Sequence, residues 1–484
     1  MPFGLEPIIC AIIGDPALIP IHSRATSIEK ENSRERILPD IQSGYHSGTR
    51  MTQIPKGYFP MKQSAHETAV ADFIRRPRPL ALSGGVRSYA WGDPDYIPAL
   101  LGIPNPDRRP YAELWIGTHA GLPSVAHLGA VDVPFPMLLQ DAADAVSGPE
   151  GIERFGGELP FLLKVLSAAQ PLSIQAHPDK QQAETGFARE NRLGIPPDAS
   201  NRNYCDDNHK PELIVALTDF YAVRGFRPLD EIDSVLAAVP ELRGLAVAYR
   251  PTSESLRELY SRVMRMERKQ VDAILTPLLL RLRAEAARQA FSRDQTEYWV
   301  LGADALFSHD GHRDRGLFSL WLLNLVHLRP GEAMYLPAGE LHSYLWGAGI
   351  EIMANSDNVL RGGLTPKHKD VDELLRILTF DASVPDILEK GLQPEAAGVV
   401  IYETPSPEFV LARLRIDAER PYIGAASQGP KLGVVIRSPV VVSAPGLADL
   451  ELADGGLFLI PHGLDYRIAC PAQALVFLAG IPTA

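Results

Sequence analysis

Gln175 and His177 stand two residues apart in the run PFLLKVLSAAQPLSIQAHPDK, residues 160–180. Alternate side chains of a β-strand share a face, so the amide and the imidazole converge while Ala176 turns away. A histidine on an apolar strand, taken by itself, reads as an ordinary core residue. Two further segments change that reading, because each offers a ligand type beside a strand. NYCDDNHKPELIVAL carries Glu212, and YLPAGELHSYLWGAGIEIMANSDNVLRGGLTPKH carries His342. Gln175, His177, Glu212 and His342 together supply an amide oxygen, two imidazoles and one carboxylate. That mixed nitrogen and oxygen set suits one Zn²⁺, or another divalent first-row ion. Its single formal negative charge leaves the metal site net positive. A cation so held is useful where an alkoxide or enediolate develops during reaction.

Such ligands need strands to deliver them. Between Val86 and Leu217 short β-like runs are punctuated by Gly and Pro, among them Leu114-Trp115-Ile116, Leu172 to Ala176 and Leu213-Ile214-Val215, as expected for a barrel of short strands. From about residue 228 to 310 the pattern changes: Leu256, Leu259, Tyr260, Val263 and Met264 follow the cap region Thr252-Ser253 at helical spacing. This stripe reads as core rather than a partner surface. Strand character returns with Ala333 to Leu336, the turn Pro337-Ala338-Gly339-Glu340, and Leu341 to Trp346, which delivers His342. The ligands therefore come from both sides of a helical insertion, and the barrel is discontinuous in sequence. After about Pro394 the chain is again β-rich, and Leu459-Ile460-Pro461-His462-Gly463-Leu464-Asp465-Tyr466 echoes Tyr335 to His342. With the glycines aligned, Tyr466 takes the place of His342, so the natural reading is a second barrel that has lost its metal ligand.

Tyr89-Ala90-Trp91-Gly92, Ala112-Glu113-Leu114-Trp115-Ile116-Gly117-Thr118-His119 and Thr365-Pro366-Lys367 follow in order along the chain. In combination with the segments above, they make the chain resemble the type I phosphomannose isomerases, zinc-dependent mannose-6-phosphate isomerases of the cupin superfamily. The resemblance covers most of the chain from about Leu80 onward, and Gln175, His177, Glu212 and His342 match that family's zinc ligands one by one. It implies a mainly β fold, with two cupin-type β-barrels (jelly rolls) and an α-helical insertion domain. It also implies interconversion of mannose 6-phosphate and fructose 6-phosphate through a metal-stabilised enediol. Arg361, in Asn355-Ser356-Asp357-Asn358-Val359-Leu360-Arg361-Gly362-Gly363, matches the family's active-site arginine, and its forked donors suit an anionic intermediate or a phosphate. Lys164, His209, Lys210, Glu351, Asp357 and Lys367 match further polar positions that could contribute a base, a proton relay or a phosphate contact. We place Lys164, His209, Lys210 and Asp357 with Arg361 as catalytic, and Lys367, Glu351 and Trp91 with the substrate. A buried lysine near a cation is expected to have a lowered pKa and so to be able to serve as a base, which makes Lys164 and Lys210 worth testing, although sequence does not fix the separate roles of these residues. Trp115 reads as packing, and His119, His312, His327 and His462 as ordinary histidines.

Two rival functions fit the same fold less well. A cupin oxygenase would use Fe²⁺ and O₂, yet the glutamine ligand and the Arg361 and Lys367 segments favour the isomerase. A non-catalytic sugar-phosphate binding protein would be expected to have lost a ligand or Arg361.

Composition agrees. The chain has 484 residues, 45% hydrophobic and 22% charged, ordinary values for a globular protein of two or three domains. No run approaches the ~18 apolar residues of a membrane span. A net charge of −12 argues against a nucleic-acid surface, so an anionic substrate needs a locally basic site. The three cysteines, Cys10, Cys205 and Cys470, are far apart and odd in number, as expected in the cytoplasm. The expected partner is a small sugar phosphate, with no nucleic acid and no membrane, and the expected working unit is a monomer.

Residues 1–75 are expected to form a poorly ordered extension, followed by the first part of the catalytic barrel (76–227), the helical insertion (228–314), the second part of the barrel (315–393) and the C-terminal barrel without metal (394–484). The apolar stretch Ile8 to Ile21 is interrupted by Gly14-Asp15-Pro16 and lacks a basic flank, so it does not read as a signal peptide. Met51 and Met61 leave an over-extended start as the alternative to a functional tail.

Overall fold

The computed structural model describes residues 63–389, 391 and 398–482. Most of it is organised into three antiparallel sheets, of ten, eight and four strands. The spine of the ten-stranded sheet is the long strand His342–Ala354. It pairs with Phe161–Ala168, Glu212–Ala216, Phe220–Phe226 and, at its first residue, Ile174–Ala176. One strand reaches so many partners because it bends. Gly347 has φ of +116°, and a Cβ there would lie 2.4 Å from the Asp219 carbonyl oxygen, so glycine alone fits the bend. The register sets His342 opposite Gln175, and Glu351 opposite Lys164.

Helices occupy the chain from Leu229 to Phe307, between the strands Phe220–Phe226 and Leu323–Leu328. The helix Ser253–Arg265 begins where the sequence places it, with the Thr252 hydroxyl accepting from the Ser255 N–H. Leu256, Leu259, Tyr260, Val263 and Met264 form its buried face. They share an apolar cluster with Ile174 and Ala176, both fully buried. The inward side chains of the Ile174–Ala176 strand thus pack on the helices, which leaves Gln175 for the opposite face.

The eight-stranded sheet takes five strands from Gly398 onward and three from the front of the chain, Leu80–Ser83, Val125–Leu128 and Val131–Pro134. Leu80 lies opposite Leu459, and Leu82 opposite Leu457. The C-terminal lobe is therefore built from both ends of the chain, an arrangement no local pattern announces. Tyr466 begins the strand after Pro461-His462-Gly463 and is buried in an apolar cluster with Ile416, Val442 and Ile468.

The expected loose extension through residue 75 is corrected at its end. Gln63–Arg75 is a helix, with Phe73 fully buried and Val70 nearly so in the cluster that holds Leu80 and Phe135. Two apolar side chains three apart suffice to dock one helical face, too short a stripe to stand out in a polar sequence. Residues 1–62, with Met51, Met61 and the Ile8 to Ile21 stretch, lie outside the described residues. Among the described residues no helix is long and apolar enough to cross a membrane.

Candidate active site

His177, Glu212 and His342 converge although 165 residues separate the first from the last. One ligand atom from each lies within 4.8 Å of the others, and all three side chains are buried. His177 Nε2 is 3.4 Å from Glu212 Oε1, and His342 Nε2 is 3.4 Å from Glu212 Oε2. The other ring nitrogens are engaged: His177 Nδ1 donates to the Asn358 carbonyl at 2.7 Å, and His342 Nδ1 donates to the Glu340 carbonyl at 3.1 Å. A carbonyl oxygen only accepts, so the proton sits on Nδ1 and each Nε2 presents a lone pair. Both Nε2 atoms and Glu212 Oε2 are buried with no hydrogen-bond partner. Three lone-pair donors buried facing one another are costly until a cation sits between them. Gln175, opposite His342 in the register, adds an amide at the same edge. The residues present fit a divalent metal ion.

Local turns hold the histidines. Gly339, at φ of +77°, turns the chain into the His342 strand, and its N–H donates to the His177 carbonyl at 2.8 Å. Asn358, whose carbonyl holds His177, is itself fixed: its Oδ1 accepts from the Cys205 N–H, and its Nδ2 donates to the Asp206 and Asn208 carbonyls. Burial pushes the His177 imidazolium pKa down to about 4, so the ring is neutral near pH 7, the form that ligates a metal.

Glu212 of the triad faces a cleft of about 510 Å³ lined by Gln175, Glu212, Lys210, Lys164, Glu351, Glu113, Tyr344, Arg361, Lys367 and Trp91, among others. Four cationic side chains against three carboxylates make this wall locally basic, as an anionic substrate requires of a chain with net charge −12. Lys164 Nζ donates to Glu351 Oε2 at 2.7 Å and lies 3.7 Å from Glu113 Oε1. Glu351 Oε1 accepts from the Tyr344 hydroxyl at 2.9 Å, and Glu113 Oε2 accepts from Trp115 Nε1 at 2.7 Å. Burial alone would lower the Lys164 pKa, but Glu113, Glu351 and Glu212 outweigh it and raise the pKa above the usual lysine range. The carboxylates beside Lys164 thus oppose the lowering expected from burial. Burial, with Glu212 and Glu113 adding to it, raises the Glu351 pKa despite Lys164.

The chain was compared with known proteins. Residues 80–229 match the family model for the type I phosphomannose isomerase catalytic domain. The mannose-6-phosphate isomerase of Escherichia coli strain K12 is 44% identical over 305 residues, covering 62% of this chain and 75% of the relative. The Homo sapiens enzyme of that name is 33% identical over 432 residues, covering 83% of this chain and 98% of the relative. The chain belongs to the type I phosphomannose isomerase family. A solved Salmonella typhimurium mannose 6-phosphate isomerase, described as bound to its substrate fructose 6-phosphate and a zinc atom, superimposes with a TM-score of 0.71 at 33% identity. The match covers 84% of this chain and all of that one. A second solved mannose 6-phosphate isomerase, zinc-bound, gives 0.72 over the same shares. Two cupin-type β lobes with a helical segment are the architecture of these phosphomannose isomerases and of this chain.

Within this phosphomannose isomerase the structure gathers most, though not all, of the sequence-predicted residues. Gln175 and Glu212 line one end of the cleft, and the fully buried His177 and His342 lie against Glu212 behind it. Lys164, Lys210, Glu351, Arg361, Lys367 and Trp91 line its walls. His209 and Asp357 are absent from that lining. The His209 ring is bonded to Glu408 at 2.7 Å, and Asp357 pairs with His119 at 3.3 Å, which engages a histidine read from sequence as ordinary. Glu113, Tyr344 and Asn358 escaped the sequence reading as site residues. Glu113 and Asn358 stand inside segments quoted for the resemblance, and Tyr344 follows His342 by two, the same-face spacing that exposed Gln175 and His177.

Proposed function

We infer that this protein is a mannose-6-phosphate isomerase, a zinc-dependent aldose–ketose isomerase that interconverts mannose 6-phosphate and fructose 6-phosphate. One observation carries the reading: the buried His177–Glu212–His342 set, whose two Nε2 lone pairs face one carboxylate, reaches a basic cleft of about 510 Å³ through Glu212. Isomerisation moves a proton between C2 and C1 and another between the two oxygens, with no oxidant consumed. It therefore needs groups that exchange protons and groups that bear negative charge on oxygen.

His177, Glu212, His342 and Gln175 hold the divalent ion in this proposal. When bound there, it supplies positive charge beside the oxygens on which the enediolate charge develops. Arg361, opposite Gln175 in the register, offers its planar fork to the anionic intermediate. Lys367, six residues on in the same wall, takes the phosphate. Lys164, held as an ammonium, donates to substrate oxygen. Glu351, whose proton affinity is raised, exchanges the substrate protons with Tyr344 and Lys164 as its partners. Trp91 covers the apolar face of the sugar. Lys210 Nζ, 3.2 Å from Glu212 Oε1, is placed to meet substrate at the metal end of the cleft.

The working unit in this proposal is a monomer. The described cysteines, Cys205 and Cys470, are free thiols, in keeping with a cytoplasmic site of action. The test is a coupled assay of fructose 6-phosphate formation from mannose 6-phosphate, run with and without a chelator. Chelator-sensitive turnover is expected. No turnover by zinc-loaded protein defeats the reading.

A further inference from the structure

Beside the site, the catalytic sheet meets the C-terminal lobe through a histidine–carboxylate contact. His209 Nε2 is 2.7 Å from Glu408 Oε1, and the Ser406 hydroxyl donates to Glu408 Oε2 at 2.6 Å. Glu408 stands just before the Val410–Asp417 strand of the eight-stranded sheet and is only 9% exposed. A carboxylate buried to that degree is costly unless its oxygens are bonded, and both of these are. Across the contact, His209 leads through Lys210 and Pro211 directly into Glu212, the first residue of a strand. Pro211 fixes its own φ and confines Lys210 to extended backbone, so few soft torsions separate the His209 anchor from Glu212. The residue before the anchor is tied as well, since the Asn208 carbonyl accepts from Ser356 Oγ and Asn358 Nδ2. Where the His209 ring is held therefore bears on where the Lys210 ammonium reaches.

We propose that Glu408 is a positioning residue for catalysis: through His209 it sets how Lys210 meets Glu212 in the cleft, so the lobe without metal ligands is a working part of the active site. Glu408 itself touches neither the cleft nor the triad, and its effect passes through His209. The proposal rests on the isomerase reading for its assay. Inactive zinc-loaded wild type would defeat that reading, whereas active wild type with unaffected variants would defeat this proposal alone.

The experiment is steady-state isomerase kinetics on the zinc-loaded full chain. Glu408→Ala should lower kcat and kcat/KM together by about tenfold, because what is lost is an orientation needed in the transition state. Metal content should stay at one per chain. Glu408→Gln keeps an acceptor oxygen and should remain within about threefold of wild type. In a His209→Ala background, Glu408→Ala should add no further loss, since the two act in series. A purely structural contact predicts otherwise: a lower melting temperature with kcat unchanged, or losses that multiply in the double variant, and either result overturns the proposal. Should Glu408→Ala fail to fold, Ser406→Ala frees the carboxylate while sparing the His209 bond. It should lower kcat by about two- to threefold, and wild-type kcat there overturns the proposal equally.

Discussion

Arg361→Lys separates catalysis from folding more cleanly than any other single change in the cleft. Arg361 sits opposite Gln175 in the register, lines the same wall as Lys367, and is partly buried, which lowers its pKa without discharging it. Lysine keeps the charge, so metal binding and the balance of charges along the wall should survive. What is lost is the fork. A guanidinium offers two parallel donors to an enediolate or phosphate, whereas an ammonium on a shorter reach offers a single point contact. Removing one donor aimed at developing negative charge costs roughly 2.7–4 kcal/mol, or ~10²–10³ in rate. Retention of charge places the substitution at the lower end, so kcat/KM should fall about 10²-fold. The assay is coupled formation of fructose 6-phosphate, read beside elemental analysis and a thermal melt. Metal content and melting temperature should match wild type. A kcat/KM within about threefold of wild type, with metal retained, would refute the assignment of Arg361 to the anion.

Three further outcomes follow from the geometry. His177→Ala and His342→Ala should each abolish metal binding and turnover, and a full complement of metal in either variant would contradict the ligand set. In the metal-free chain, His177 has its pKa held near 4 against 6.5 when exposed. Its contribution to stability is complete above 6.5 and is lost as pH falls from 6.5 toward 4, by up to ~1.4 kcal/mol per pH unit. Glu212, whose pKa is also held down, acts with the same sign at lower pH. Urea melts of chelator-treated protein at pH 7.5 and 5 check this, and equal stability at both would remove it. Phe73→Ala should cost ~3–5 kcal/mol because the ring is fully buried. Deleting residues 1–75 should therefore lower the melting temperature, whereas an unchanged melt would mean that the Gln63–Arg75 helix adds nothing to the core.

Local spacing made part of this molecule legible. The i, i+3, i+4 stripe at Leu256 to Met264 and the Thr252 cap set one helix in place, because helix periodicity and capping are short-range properties. Gln175 and His177 stood out for the same reason, and the turn at Gly339 announced the strand that carries His342. Resemblance to a family, rather than spacing, brought Arg361, Lys164 and Lys367 to the same cleft. What stayed hidden depends on pairing across long stretches of chain. Leu80–Ser83 joins the C-terminal sheet through Leu457–Ile460, nearly the whole chain away. The Lys164 charge state depends on Glu113 and Glu351, which reach it only across neighbouring strands of the folded sheet. The lowered pKa expected of a buried lysine read alone is reversed once those carboxylates are beside it. Glu408 could not be found at all by local patterns, since its partner His209 lies 199 residues earlier.

The central claim is that three buried side chains with unsatisfied lone pairs hold the ion on which isomerisation depends. Zinc titrated back into chelator-stripped protein, with bound metal and fructose 6-phosphate formation followed together, tests it most directly. Activity should rise in proportion to bound zinc and reach its plateau at one ion per chain. Full turnover before any zinc returns, or a bound ion that restores none, would contradict the account.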